Sequence, residues 1–166
     1  MQIEKYQPAQ HESLAEFWRA IYKEMDWNVV IDGIDNPQIF FHLPDGFLLT
    51  ISKDNAVVGC SGVKPSAKEV GIIKRFYLAP ELRGTGMSAQ LLEATVNEAV
   101  KRGFTKLVLD VYYKNLRAVR FYEKHGFTKF DPVPEDDWSE SQRPDKFVYF
   151  YLLLASNAHR ETSLFK

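Results

Sequence analysis

The stretch from residue 70 to residue 112 constrains the fold more than any other, because its hydrophobic period changes twice within it. Residues 70–78 (VGIIKRFYL) form an apolar, β-branched run. From Met87 the apolar or small positions Met87, Leu91, Thr95 and Ala99 recur every four residues, and Lys101-Arg102-Gly103 supplies the cationic last turn and glycine stop of a helix. Residues 105–112 then return to strand character. Strand, helix and strand in succession close through a right-handed crossover, which makes the two strands parallel. Upstream, residues 47–52 and 56–63 flank the polar turn Lys53-Asp54-Asn55 as a hairpin, and 70–78 follows as a third successive strand, which predicts an antiparallel meander. The expectation is an α/β (α+β) fold with a mixed, mostly antiparallel twisted sheet of about six to seven strands and flanking helices.

The remaining elements fit around that core. Residues 3–7 read as a short strand, and 8–24 as an amphipathic helix with Leu14, Phe17, Trp18 and Ile21 on one face. Asp32-Gly33 and Asn36-Pro37 mark turns before a short helix around 38–42. A second main helix spans about 116–125 and ends at Gly126, followed by a strand over 127–130, a polar loop over 131–145 and an apolar strand over 146–154. The expected organisation is one domain over 1–166, with 1–46 on its amino-terminal side and a tail at 155–166.

Composition excludes several functions. Twenty-one Lys and Arg against 22 Asp and Glu leave a charge of −1 and no basic run to neutralise a phosphate backbone, so nucleic acid is not an expected partner. No apolar run is long enough for a membrane span, and the start lacks the features of a secretion signal. The single cysteine, Cys60, and four scattered histidines offer neither a disulfide nor metal-ligand spacing, so no metal is expected and a cytoplasmic setting fits.

Chemistry concentrates at Arg83-Gly84-Thr85-Gly86, between strand 70–78 and the helix at Met87. Two glycines let backbone approach a ligand, and the unpaired amides of the loop and first helical turn converge where the helix dipole favours negative charge. A pyrophosphate suits such a loop, with Arg83 as an ion partner. Residues 84–89 also satisfy a dinucleotide-binding glycine pattern, with Asp110 about 20 residues on. Against that reading, residues 79–83 separate strand from loop, Asp110 falls inside its strand, and no further strand-helix-strand units follow.

Residues 78–92 (LAPELRGTGMSAQLL), taken together with residues 115–127 (NLRAVRFYEKHGF), resemble the GNAT superfamily of acetyl-coenzyme A-dependent N-acetyltransferases in content and order. The resemblance is strongest over 70–127, which it makes the cofactor-binding core, with residues 1–46 forming part of the acceptor side. It implies a splayed pair of parallel strands, 70–78 and 105–112, and a pyrophosphate site formed by Leu82, Arg83, Gly84, Thr85, Gly86, Met87 and Ser88. Asn115 would lie near the cofactor. Tyr122 would protonate the departing thiolate, a task suited to a phenol protonated at neutral pH. Backbone donors at Phe76 or Leu78 would polarise the thioester carbonyl. The expected function is transfer of acetyl from acetyl-coenzyme A to a small-molecule or peptide amine by direct attack in a ternary complex. The alternative is a non-catalytic acyl-coenzyme A sensor of the same fold, and homodimers are frequent among such proteins.

Two departures stand out. Ser88 replaces a Gly or Ala common at the end of the loop. Ile72-Ile73 precede Lys74-Arg75 where many members carry a glutamate base, leaving Asp110, Glu69 and His42 as substitutes, with Asp110 the expected base. A neutral amine would need no strong base. The acidic run at 135–140 would attract a cationic acceptor if it flanks the entrance. Cys60 as an acyl carrier is the least favoured reading, since a cysteine within an apolar strand is usually inert.

Overall fold

The computed structural model describes residues 1–132 and 145–155, so the acidic run and residues 156–166 of the tail lie outside the described residues. Seven strands are found among the described residues: β1 (Ile3–Lys5), β2 (Phe47–Lys53), β3 (Ala56–Pro65), β4 (Val70–Leu78), β5 (Lys106–Tyr112), β6 (Thr128–Phe130) and β7 (Phe147–Leu153). Four helices accompany them: α1 (His11–Glu24), α2 (Pro37–Phe40), α3 (Met87–Lys101) and α4 (Leu116–Lys124). The strands are hydrogen-bonded in the order β1-β2-β3-β4-β5-β7-β6. The sheet is mixed, with β4 and β5 parallel and β1–β2, β2–β3, β5–β7 and β6–β7 antiparallel. The chain falls into two compact units, Met1–Lys64 with Lys74–Glu98, and Pro65–Ile73 with Ala99–Lys166.

In the first unit, α1 buries Leu14, Ala15, Phe17, Trp18, Ile21 and Tyr22 on one face, as its spacing predicts. Leu14, Phe17, Trp18 and Ile21 share a core with Phe41, Leu48, Val57 and Cys60. Complete burial of Trp18 and Leu14 contributes about 1.5–3 kcal/mol for each such side chain. Gly62 of β3 admits Phe41 against the sheet, since a Cβ there would sit 2.1 Å from the Phe41 ring. The expected helix over 8–24 is divided. Pro8–Gln10 forms a 3-10 turn, and His11 begins the α-helix. The β2–β3 hairpin turns on Asp54 and Asn55, both left-handed with φ of 51° and 64°, the pair of conformations that a two-residue turn matching the strand twist needs.

In the second unit, β5 pairs with β7 from Lys106↔Leu153 to Tyr112↔Phe147. The parallel β4–β5 register covers Val70↔Lys106, Gly71↔Leu107 and Ile72↔Val108, a short pairing for strands of nine and seven residues and the kind a splayed pair implies. One face of this unit gathers Ile72, Val108 and Tyr149 with Phe130, Phe147 and Tyr151. On the other, the Tyr122 ring of α4 lies against Phe127 and Phe150, at centroid distances of 5.2 and 6.0 Å. No helix of the described residues is long and apolar enough to cross a membrane. Among the described residues, no three His, Cys, Asp or Glu side chains are grouped to hold a metal ion.

Candidate active site

The glycine loop belongs to the first unit. After β4, the Ala79 amide donates to the Val58 carbonyl at 2.8 Å, and Pro80–Leu82 makes a 3-10 turn that consumes the Leu82 and Arg83 amides on Ala79 and Pro80. Leu82 itself is buried. Gly84 and Gly86 then take φ of 75° and 88°, a region that L side chains rarely adopt. A Cβ at either would meet no protein atom within 4 Å, so the space over the loop is open. The Thr85 hydroxyl donates to the Leu82 carbonyl at 2.6 Å and accepts a long contact of 3.4 Å from the Met87 amide. Among the described residues, the amides of Gly84, Thr85, Gly86, Ser88 and Ala89 have no protein acceptor. Unsatisfied donors at a helix start, with glycines removing the steric barrier, fit an oxyanion such as a pyrophosphate.

Arg83 is placed differently from the ion partner expected for that anion. Its Nε donates to the Leu78 carbonyl at 3.0 Å and its terminal nitrogens fork onto the Glu24 carboxylate, Nη2 reaching Oε2 at 2.8 Å. The guanidinium therefore braces the loop against the end of α1, and what the loop offers an anion is backbone.

β4 is interrupted at Arg75, whose φ of 58° is left-handed. Its carbonyl accepts from the Cys60 thiol at 3.1 Å, and Cys60 Sγ in turn accepts from Trp18 Nε1 at 3.2 Å. Phe76 and Leu78, the expected carbonyl-polarising positions, follow this kink. Burial pushes the Cys60 thiol up to about 12, against the lowering effect of Trp18, Arg75 and the Tyr77 backbone. A fully buried thiol held protonated is poorly placed to attack a thioester. Sequence reasoning passed over Arg75 itself. The available signal is a pair of cations, Lys74 and Arg75, inside an otherwise apolar strand.

The other expected residues lie in the second unit. Asn115 caps α4, its side-chain oxygen accepting from the Ala118 amide at 3.2 Å. Tyr122 is 6% exposed and packs among Phe121, Phe127 and Phe150. Asp110 pairs in register with Tyr149, on the Val108 face of β5, whereas Tyr122 packs on Phe150, whose partner is Leu109. Strand alternation thus puts Asp110 and Tyr122 on opposite faces. Glu69 and His42 occupy tight turns at φ of 60° and 52°, and both are exposed.

Comparison with known proteins agrees with this geometry. The profile of the acetyltransferase (GNAT) family matches residues 10–127. A Schizosaccharomyces pombe protein named as an uncharacterized N-acetyltransferase is 28% identical over 119 residues, 70% of this chain and 73% of that one. A similarly named Mycobacterium bovis protein is 35% identical over 85 residues, so the chain covers 51% of itself and 54% of that relative. Among solved structures, a GNAT-family acetyltransferase from Staphylococcus aureus superposes with a TM-score of 0.78 at 19% identity, covering 93% of this chain and 99% of the other. An aminoglycoside 6'-N-acetyltransferase complexed with coenzyme A superposes at 0.71 and 15% identity, covering 95% and 99%. These likenesses show the fold, and the family match over most of the chain shows its membership: this protein belongs to the acetyltransferase (GNAT) family.

Proposed function

We propose that this acetyltransferase moves an acetyl group from acetyl-coenzyme A to the amine of a small molecule or peptide by direct attack. The observation that carries the reading is the loop at 84–89, where five backbone amides have no protein acceptor and two glycines leave open space above them. A solved fold neighbour was obtained with coenzyme A, which is consistent with that use of the loop. Acetyl-coenzyme A supplies the activated acyl carbon and a thiolate leaving group. Gly84, Thr85, Gly86, Ser88 and Ala89 would donate their amides to its pyrophosphate, and the Ser88 hydroxyl adds a further donor there. Arg83 is assigned to bracing the loop through Glu24.

The amine forms the new carbon–nitrogen bond as the carbon–sulfur bond breaks, and loses one proton to solvent. Tyr122 would pass the proton of its phenol to the departing sulfur, giving the free thiol, and would regain a proton from solvent. Amides near Phe76 and Leu78 are assigned to the carbonyl oxygen. Asp110 is given no step, because it stands on the face of β5 away from Tyr122. A neutral amine makes a strong base unnecessary. The test is purified protein with acetyl-coenzyme A and a panel of amines, read by thiol release and by product mass. Acetylated amine with stoichiometric thiol supports the proposal. Calorimetric binding without turnover on any amine would instead favour the acyl-coenzyme A sensor.

A further inference from the structure

The first unit holds a cation with no counter-ion among the described residues. Arg75 donates from one terminal nitrogen to the Tyr22 hydroxyl and from the other to the Asp32 carbonyl oxygen, each at 2.7 Å. Both acceptors are neutral. Its Nε is shut off from solvent without a hydrogen-bond partner. The rings of Phe40, Trp18 and Tyr22 lie 5.1, 5.3 and 5.5 Å from the guanidinium carbon and strip water from it. Burial holds the Tyr77 phenol above its ordinary pKa although Arg75 is nearby, so no phenolate supplies the missing charge. A guanidinium that has lost hydration ordinarily gains a carboxylate or phosphate in return, and this one has gained only neutral oxygens.

The group is also ready to use. Two anchors on different segments fix its position, and the terminal nitrogens carry four N–H groups against those two anchors. Tyr22, having accepted from Arg75, keeps its own phenolic proton for a second acceptor. Arg75 is half-buried, leaving part of it open to a ligand. It also immediately precedes Phe76, one of the positions assigned above to the thioester carbonyl. A ligand held by Arg75 would be held by the strand that carries that position.

We propose that Arg75, together with the Tyr22 hydroxyl, binds a carboxylate of the acceptor, so that the acceptor is an amine carrying its own carboxylate, an amino acid in the simplest form. This assignment rests on the acetyl-transfer reading given above. An arginine that merely stapled α1 to the segment around Asp32 would impose no preference for an acid over its amide, and that difference is measurable.

The experiment offers the full chain acetyl-coenzyme A with each of the twenty proteinogenic amino acids and with the matching α-carboxamides, read by thiol release and product mass. Amino acids that serve as acceptors exceed their amides by about 10- to 100-fold in kcat/KM, the worth of hydrogen bonds to a charged group. Arg75→Gln brings that ratio toward unity while KM for acetyl-coenzyme A stays constant. Arg75→Lys, which keeps the charge and loses the fork, falls between. Circular dichroism and the thermal midpoint establish that each variant is folded. If the Gln variant is not, the wild-type ratio and the Lys variant decide. Equal use of acid and amide by the wild type, transfer only to amines without a carboxylate, or an unchanged ratio in a folded Gln variant each overturns the assignment. Calorimetry with coenzyme A separates the two readings. Failure to bind it refutes acyl transfer, and the subsite is then judged by whether amino acids raise the thermal midpoint more than their amides do, equal shifts overturning it.

Discussion

Replacing Gly86 with Asp isolates the role of the loop. Gly86 has φ of 88°, and its absent Cβ faces no protein atom within 4 Å, so the substitution collides with nothing in the chain. Two costs remain. Backbone strain at a non-glycine residue in this region is about 1–3 kcal/mol, charged to stability. The new carboxylate adds a charge beside any bound phosphate. Two unit charges 4 Å apart repel by about 1 kcal/mol in water and about 4 kcal/mol near a protein surface. Gly84, Thr85 and Gly86 are exposed, so the effect lies between those limits, a loss of about 5- to 1,000-fold in coenzyme A affinity. Gly103→Asp is the matched control, because Gly103 has φ of 85° and an equally open Cβ position but lies outside the loop. Calorimetric titration of wild type, Gly86→Asp and Gly103→Asp at low and high salt gives the comparison. The Gly86 variant loses affinity, part of the loss is relieved by salt, and the Gly103 variant binds like wild type. Affinity within twofold of wild type for Gly86→Asp, or an equal loss in both variants, refutes the use of these amides on a phosphate.

Three further expectations follow from the geometry. Tyr122→Phe keeps coenzyme A affinity and lowers turnover by about 10²- to 10⁴-fold where chemistry limits the rate, so an unchanged single-turnover rate removes the phenol from the mechanism. Asp110→Asn, on the opposite face of β5, leaves kcat/KM within about threefold, and a larger loss with the thermal midpoint preserved would reinstate it as a base. Cys60→Ala costs about 1–3 kcal/mol by removing a buried group and both of its hydrogen bonds, read by urea unfolding. Its pH dependence has a definite sign. The folded thiol, pushed up to about 12, stays neutral while the unfolded thiol ionises above about 8.5, so wild-type stability falls with rising pH between those values. The alanine variant lacks this component, and parallel stability curves from pH 8 to 11 would contradict it.

Much of this architecture was legible because local and long-range signals agree. The apolar run at residues 70–78 coincides with β4, and the four-residue spacing from Met87 with the stop at Lys101-Arg102-Gly103 coincides with α3. The glycine loop is legible as a candidate anion site because strand, glycine pair and helix start follow one another in sequence. Asn115 was readable as a helix cap for the same local reason. The unreadable parts depend on distant partners. Arg83 is only 59 residues from Glu24 in the chain numbering, yet nothing in either neighbourhood announces their fork. The left-handed kink at Arg75 is held by Cys60 and Trp18 from other elements, and arginine has no intrinsic preference for that conformation. The face of Asp110 could have been inferred from strand alternation, since Val108 and Tyr112 share it, but only the β7 register shows which aromatic residues line it.

The most direct test of the account is the stoichiometry of thiol release against N-acetylated product when the purified chain is given acetyl-coenzyme A and a panel of amines that includes the amino acids. The account predicts one thiol per acetylated amine, at a rate well above the uncatalysed reaction and reduced in Tyr122→Phe. Thiol release without an acetylated amine, or cofactor binding with neither product, would contradict it.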